Sequence, residues 1–235
     1  MSGKSSEPEY TLVELSPLRQ AIGARTQTSF RDIPQFSASR QVVCGGLGEA
    51  RATLRVAGVD PLPSFNDFLL KLVGLTLHEF PTFNAWLDEE GLKLLQPINV
   101  GFACDTEEGL LLPTLFDADS KPLAQIAQET RELIEQARVG RLRASLQRGA
   151  GFTISNIGPS GVDQFHGIIS PPQTALLALG ALAQRPMVIM GEIVKAPTMY
   201  LTLTMDHRVH DGRHGAAFLG ELAQKLGDSD LLARL

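Results

Sequence analysis

Between Met199 and Met205 the chain alternates, with Tyr200, Thr202 and Thr204 on one side and Leu201, Leu203 and Met205 on the other. It then runs directly into Asp206-His207-Arg208-Val209-His210-Asp211-Gly212. A period of two in residues that favour extended backbone specifies a strand with two unlike faces. Gly212 permits a tight turn after it, and Gly215-Ala216-Ala217-Phe218-Leu219-Gly220-Glu221-Leu222-Ala223 reads as a helix whose small residues allow close packing. The chain is thus committed to strand, turn and helix in that order, and His207 is left at the strand's end. An imidazole held there, oriented by its own backbone or by Asp211, has the chemistry of a general base near neutral pH.

Further elements follow from pattern and punctuation. Ser16-Pro17 reads as the cap and first turn of a helix carrying Leu18 and Ile22 on one face. Ser64 caps a second helix, Phe65 to Glu79, which is apolar on nearly every side, so it is expected to be buried, and Pro81 stops it. Pro122 to about Leu146 reads as a third helix, amphipathic, with Gly140 as a potential interruption. Strands are expected at Ile98–Cys104, Leu110–Phe116, Gly151–Asn156, Thr174–Leu182, Met187–Ile193 and Met199–Met205. Together these imply an α+β plan, a mixed sheet covered by helices. Cys44-Gly45-Gly46-Leu47-Gly48 lacks the Lys-Ser/Thr ending of a phosphate loop and is expected to be a turn.

A chain of 235 residues, 43% hydrophobic, is long enough for one large core, and no Pro/Gly/Ser-rich linker divides it. Residues 1–11 read as a disordered tail or linker remnant and residues 12–235 as a single domain. A net charge of −5 without a basic cluster argues against a nucleic-acid partner. Cys44 and Cys104 form no metal-type spacing, and no secretory signal or long apolar span is present, so a reducing cytoplasm is the expected setting and no membrane partner is expected. His207, His210, Asp211 and His214 have the composition of a zinc shell. Yet His207 and His210 share a face only on a continuous helix, and the turn expected there makes a metal the lesser reading. His78, on the buried helix, and His166, in a loop, have no evident ligand partners.

The His207-x-x-x-Asp211-Gly212 pattern, preceded by Asp206, resembles the active-site signature of the dihydrolipoamide acyltransferases of 2-oxo acid dehydrogenase complexes, a family within the chloramphenicol acetyltransferase-like superfamily. Peptide-synthetase condensation domains share that signature, but a second block does resemble the acyltransferases. It comprises Gly151-Phe152-Thr153-Ile154-Ser155-Asn156-Ile157-Gly158, followed by Ile168-Ile169-Ser170-Pro171-Pro172-Gln173-Thr174-Ala175-Leu176-Leu177-Ala178-Leu179-Gly180. Leu18–Arg25, Phe83-Asn84-Ala85, Gly101-Phe102-Ala103, Gly109–Pro113 and Ala118–Leu123 fit the same family, so the resemblance covers the chain from about Leu12 to Leu235.

The resemblance implies a trimer-forming, chloramphenicol acetyltransferase-like fold whose active sites lie between subunits. Acyl groups would pass between a dihydrolipoyl thiol and coenzyme A. His207 would be the base that deprotonates the coenzyme A thiol, and Ser155 from the neighbouring subunit would donate its hydroxyl to the oxyanion. Asp211 would brace the turn, against Arg25 of the first helix, with Asp206 and Asn156 in support. Coenzyme A would be a substrate and the lipoyl group would arrive in trans, since no lipoyl-type Asp-Lys-Ala turn is present; no metal is implied. Partners would be a lipoyl domain or acyl-carrier protein and the 2-oxo acid decarboxylase and dihydrolipoamide dehydrogenase components. The tail Asp230–Leu235 resembles the segment through which family trimers build a 24-subunit cube, and a frayed apolar helix end is an equal reading.

Two alternatives stay open: transfer to a carrier-protein phosphopantetheine or a small molecule, and a mainly structural oligomeric core. Departures from the family pattern are His210, where an aliphatic residue is usual, Thr26 in place of methionine, and the Pro159-Ser160-Gly161 loop. Pro171-Pro172-Gln173 and Arg185-Pro186-Met187 lean toward the succinyl-transferring branch.

Overall fold

The computed structural model describes residues 8–107 and 109–235; residues 1–7 of the expected tail lie outside the described residues, and 8–16 form an exposed segment without helix or strand. Helix α1 (Pro17–Asp32) opens as expected, with the Ser16 hydroxyl accepting from the Arg19 amide at 3.2 Å. Strand β1 (Gln35–Val43) and helix α2 (Gly45–Val56) follow. The Cys44–Gly48 cluster therefore opens a helix rather than forming a turn. Burial of Leu47 and Ala50 in the core offsets the weak helix propensity of three glycines.

Helix α3 (Phe65–Glu79) has the bounds its sequence specifies. Ser64 and Asp67 cap it reciprocally, the Ser64 amide donating to the Asp67 carboxylate at 2.6 Å and the Asp67 amide to the Ser64 hydroxyl at 3.3 Å. Phe68, Leu69, Leu72, Val73 and Leu77 are fully buried, which makes α3 the central helix.

β2 (Ala85–Asp88) and β3 (Gly91–Leu94) form a small hairpin, followed by β4 (Val100–Phe102), β5 (Cys104–Thr106), β6 (Gly109–Leu111) and β7 (Thr114–Leu115). The two expected strands Ile98–Cys104 and Leu110–Phe116 are thus each divided. β4 and β7 join the main sheet, while β5 and β6 pair only with each other. Helix α4 (Leu123–Arg138) ends eight residues before the expected Leu146. Gly140, at φ 69°, closes it by taking the left-handed conformation that favours glycine, its amide bonding the Ala137 carbonyl at 3.2 Å.

The remaining elements are β8 (Phe152–Asn156), β9 (Ala175–Leu179), β10 (Ala183–Ile189), β11 (Glu192–Asp206), α5 (Gly212–Gly227) and α6 (Ser229–Arg234). The expected strand Met187–Ile193 is instead the tip of a hairpin. Ile189 pairs with Glu192 across Met190-Gly191, both with positive φ, as a two-residue turn of that twist requires.

The main sheet has seven strands, ordered β1-β11-β9-β8-β4-β7 with β10 also on β11, and it is mixed: β4, β8 and β9 run parallel and the other pairs antiparallel. The two faces foreseen for the Met199–Met205 strand are present. Phe36, Met205, Leu203, Leu201, Met199 and Val42 lie on the face that packs in the core with Leu47 of α2 and Phe218, Leu219 and Leu222 of α5. A Cβ at Gly215 would meet the end of the Met205 side chain, so glycine lets α5 pack closely over the side chains of β11. The opposite face carries hydroxyls in register: Ser37 with Thr204 and Ser39 with Thr202, each pair 3.0 Å apart.

Candidate active site

β11 ends in a turn that is pinned at two buried points. At the first, Asp206 is 1% exposed, its amide bonds the Thr174 carbonyl at 2.9 Å, and its carboxylate accepts from the Arg208 amide and the Arg208 guanidinium at 2.6–3.1 Å. This fork-to-fork pair holds the Arg208 charge and raises its pKa further. At the second, His210 is 1% exposed, its ring lying parallel to Phe83 at 4.0 Å and its Nε2 3.0 Å from the Thr174 hydroxyl. Between these points His207 and Arg208 protrude into solvent. The His207 amide donates to the Pro34 carbonyl at 2.9 Å, and its ring lies 4.4 Å from that of Phe36.

Asp211 ends the turn as the cap of α5, accepting from the His214 amide at 2.8 Å. That bond is the main reason its pKa is lowered. Within the single chain Arg25 is engaged elsewhere. The Arg25 guanidinium donates to the Pro171 carbonyl at 2.9 Å, and no Arg25–Asp211 contact is made within the chain. The four residues of the metal alternative are likewise separated in role, with His210 committed to Thr174 and Asp211 to a backbone amide. Among the described residues no group of three or more His, Cys, Asp or Glu is arranged to hold a metal ion.

Ser155 lies on β8, on the hydroxyl-bearing face of the sheet, because it pairs with Ala178, which pairs with Thr202. It lines a cavity of about 420 Å³ with Thr153, Leu18, Ile22, Arg25 and Thr26 of α1, Leu110, Ile168 and Leu176. Asn156 has the opposite orientation, its amide donating to Asn66 at 2.6 Å and its carbonyl accepting from the Gly158 amide at 2.8 Å. With Ile154 it lines a second cavity of about 520 Å³, bounded by Ser64, Asn66, Arg131 and Arg138. Strand β8 therefore separates two cavities, odd-numbered residues facing one and even-numbered residues the other.

Ser155 and His207 are not brought together in one chain. Ser155 is in register with Thr202 two strands away, and His207 lies five residues further on. At about 3.3 Å per residue and 4.8 Å between strands, the separation is on the order of 15 Å along the sheet and roughly 10 Å across it. Of the residues that hold the two imidazoles, Phe83 and Thr174 lie in segments that resemble the family, while Phe36 carries no local motif.

Burial, and then the His214 charge, pull the pKa of His210 down to about 4, against the smaller opposing pull of Asp206 and Asp211. The unfolded chain, with an ordinary imidazole near 6.5, binds the extra proton first. This contribution is complete above pH 6.5 and is lost as pH falls toward 4, by about 3 kcal/mol in total. Urea unfolding between pH 7 and 4 is expected to show this slope in the wild type and a flatter one in His210→Leu; equal slopes would remove His210 as its source.

Comparison along the chain agrees with the geometry. Residues 7–233 match the family model for 2-oxoacid dehydrogenases acyltransferase (catalytic domain). The chain is 33% identical to the dihydrolipoyllysine-residue acetyltransferase component of the pyruvate dehydrogenase complex of Rickettsia felis, over 90% of this chain and 52% of that protein. It is 33% identical to the component of that name from Staphylococcus aureus, over 96% and 53%. It thus spans about half the length of these curated relatives. The dihydrolipoamide acetyltransferase of Azotobacter vinelandii, whose catalytic mechanism has been studied through a serine, a histidine and an asparagine, superimposes with a TM-score of 0.91 at 29% identity, covering 95% of this chain and 94% of that one. The cubic core of a pyruvate dehydrogenase multienzyme complex also gives 0.91, at 30% identity over the same shares of the two chains. Chloramphenicol acetyltransferase, at 0.53 and 22% identity over 86% of this chain and 93% of that one, shares the fold. Sequence motifs, the pinned histidine turn and the superposition converge, and the chain belongs to the family of 2-oxoacid dehydrogenase acyltransferase catalytic domains.

Proposed function

We propose that residues 12–235 form one acyltransferase domain that moves an acyl group between a dihydrolipoyl thiol and coenzyme A. The observation that carries this reading is the rigid turn at the end of β11, which presents the His207 imidazole to solvent between two buried anchors. The wide separation of Ser155 from His207 fits a site completed by a neighbouring subunit, as in a trimer, and a cubic assembly of such trimers is consistent with the likeness to a cubic core.

In the transfer, His207 takes the proton of the coenzyme A thiol, and the resulting thiolate attacks the carbonyl carbon of the lipoyl thioester. The carbonyl π-electrons move to oxygen, and the Ser155 hydroxyl of the neighbouring subunit donates to that oxyanion. Collapse re-forms the carbonyl and expels the lipoyl thiolate, which recovers the proton from His207. Asp211 and Asp206 hold the turn and take no part in the proton transfer. The two cavities flanking β8 differ in lining: the one beside Ser155 is lined mainly by aliphatic residues, and the other carries Arg131 and Arg138 together with Asp67 and Glu135 among apolar residues.

The lipoyl arm would come from a lipoyl domain, and the decarboxylase and dihydrolipoamide dehydrogenase components would be further partners. The two free, buried thiols suit a reducing compartment such as the cytoplasm, and no described helix is long and apolar enough to cross a membrane. The relatives described above are acetyltransferases, so acetyl ranks ahead of the succinyl lean. The test is transfer from acetyl-, succinyl- and isobutyryl-coenzyme A to free dihydrolipoamide. Turnover with one donor, acetyl first, is the expected result, and failure with all three would overturn the lipoyl reading.

A further inference from the structure

The least explained group in the molecule is the imidazole of His210. It is buried, it lies flat on Phe83, and its Nε2 meets the Thr174 hydroxyl, yet its Nδ1 is buried without a hydrogen-bond partner among the described residues. An aliphatic side chain of similar volume would fill the space between Phe83 and Thr174 and strand no nitrogen. Packing alone therefore does not call for an imidazole, and a buried polar atom kept at a cost calls for another reason.

Its connections supply one. The Thr174 backbone carbonyl holds the Asp206 amide at 2.9 Å, while the Thr174 side chain holds His210 at 3.0 Å, so one residue clamps both ends of the turn. Within the turn the amides of Val209 and His210 both bond the Asp206 carbonyl, at 3.0 and 2.9 Å. His207 is thus carried on a loop whose two ends are fastened to the same threonine. A stacked, hydrogen-bonded ring fixes rotation about its own axis as well as position, which an aliphatic anchor does not. The groups facing it are His214 on α5, with ring centroids 5.5 Å away, the carboxylates of Asp206 and Asp211, and the phenyl ring of Phe83.

We infer that His210 is a positioning residue for acyl transfer: with Thr174 and Phe83 it sets the aim of His207 toward the thiol that His207 deprotonates. The inference rests on His207 being the base proposed above. Misplacing a base by about 1 Å costs on the order of 10²-fold in rate while leaving substrate binding intact.

The test uses the whole chain with acetyl-coenzyme A and dihydrolipoamide, after circular dichroism and sedimentation have shown each variant to be folded and assembled as the wild type. His210→Ala is expected to lower kcat by roughly 10- to 100-fold with both KM values within about twofold. His210→Gln, which can still reach the Thr174 hydroxyl, is expected to recover kcat to within about threefold of the wild type. Thr174→Val, a smaller perturbation, should lower kcat in the same direction. A folded His210→Ala or Thr174→Val protein with wild-type kcat overturns the inference, as does loss confined to KM. Hydrogen exchange of the amides of His207, Val209 and His210 supplies a readout independent of turnover. If the wild type transfers no acyl group, the reading under Proposed function falls by itself, and exchange then decides the positioning: faster exchange in His210→Ala sustains it and unchanged exchange overturns it.

Discussion

Replacing His207 by alanine is expected to lower kcat for transfer between acetyl-coenzyme A and dihydrolipoamide by a factor of about 10²–10⁴, the range for loss of a positioned general base. The fold should be unaffected. His207 is exposed and held through its backbone amide, and the turn's buried anchors are Asp206 and His210. Initial rates at saturating substrates, with far-ultraviolet dichroism as the structural control, check the point. An alanine variant keeping more than about a tenth of the wild-type rate would remove His207 from the chemistry, since a base worth less than that is no base at all.

Ser155→Ala is expected to cost about 10²–10³ in kcat, the usual effect of removing one oxyanion donor. The more decisive experiment combines the two. In isolated chains Ser155 and His207 are separated by two strands and five residues of sheet, so neither variant can be rescued within its own subunit. Co-expression of His207→Ala with Ser155→Ala produces mixed assemblies in which some interfaces join an intact serine to an intact histidine. With random assembly about a quarter of the sites are competent, and about a quarter of the wild-type activity should return. Mixed assemblies that stay inactive, once their composition is verified by mass spectrometry, would show that the two residues do not share a site between subunits.

Legibility differed from element to element for identifiable reasons. Helix α3 was readable to the residue because Ser64, Asp67 and Pro81 act locally: caps and breakers operate within one turn of chain. The strand leading to His207 was readable because both of its faces have a character, one aliphatic and one hydroxyl-bearing. Its neighbour β1 was not, because Gln35, Ser37, Ser39 and Gln41 dilute the apolar signal, and their partners, Thr204, Thr202 and Thr198 on β11 and Ser29 on α1, are distant or on another element. The β10–β11 hairpin was hidden by Met190, which occupies a left-handed position where asparagine or glycine would have announced the turn. Helix α2 was hidden by its glycines. At the site, His207, Asp206 and Ser155 fall on their expected elements, but Arg25 and Asp211 do not meet. Within one chain the Asp211 carboxylate caps α5 and the Arg25 guanidinium meets the Pro171 carbonyl, a backbone partner that carries no side-chain signal in sequence.

The partition made by β8 has a consequence for how such a chain can diverge. Thr153 and Ser155 wall one chamber while Ile154 and Asn156 wall the other, so point substitutions can remodel either chamber and leave its neighbour untouched. A single inserted or deleted residue in the strand would do the opposite. It would exchange the linings wholesale, turning the serine toward the arginines and the asparagine toward the aliphatic chamber. Outside Ser155 and the core residues Phe152 and Ile154, variation within β8 can therefore proceed by replacement but not by changes in length.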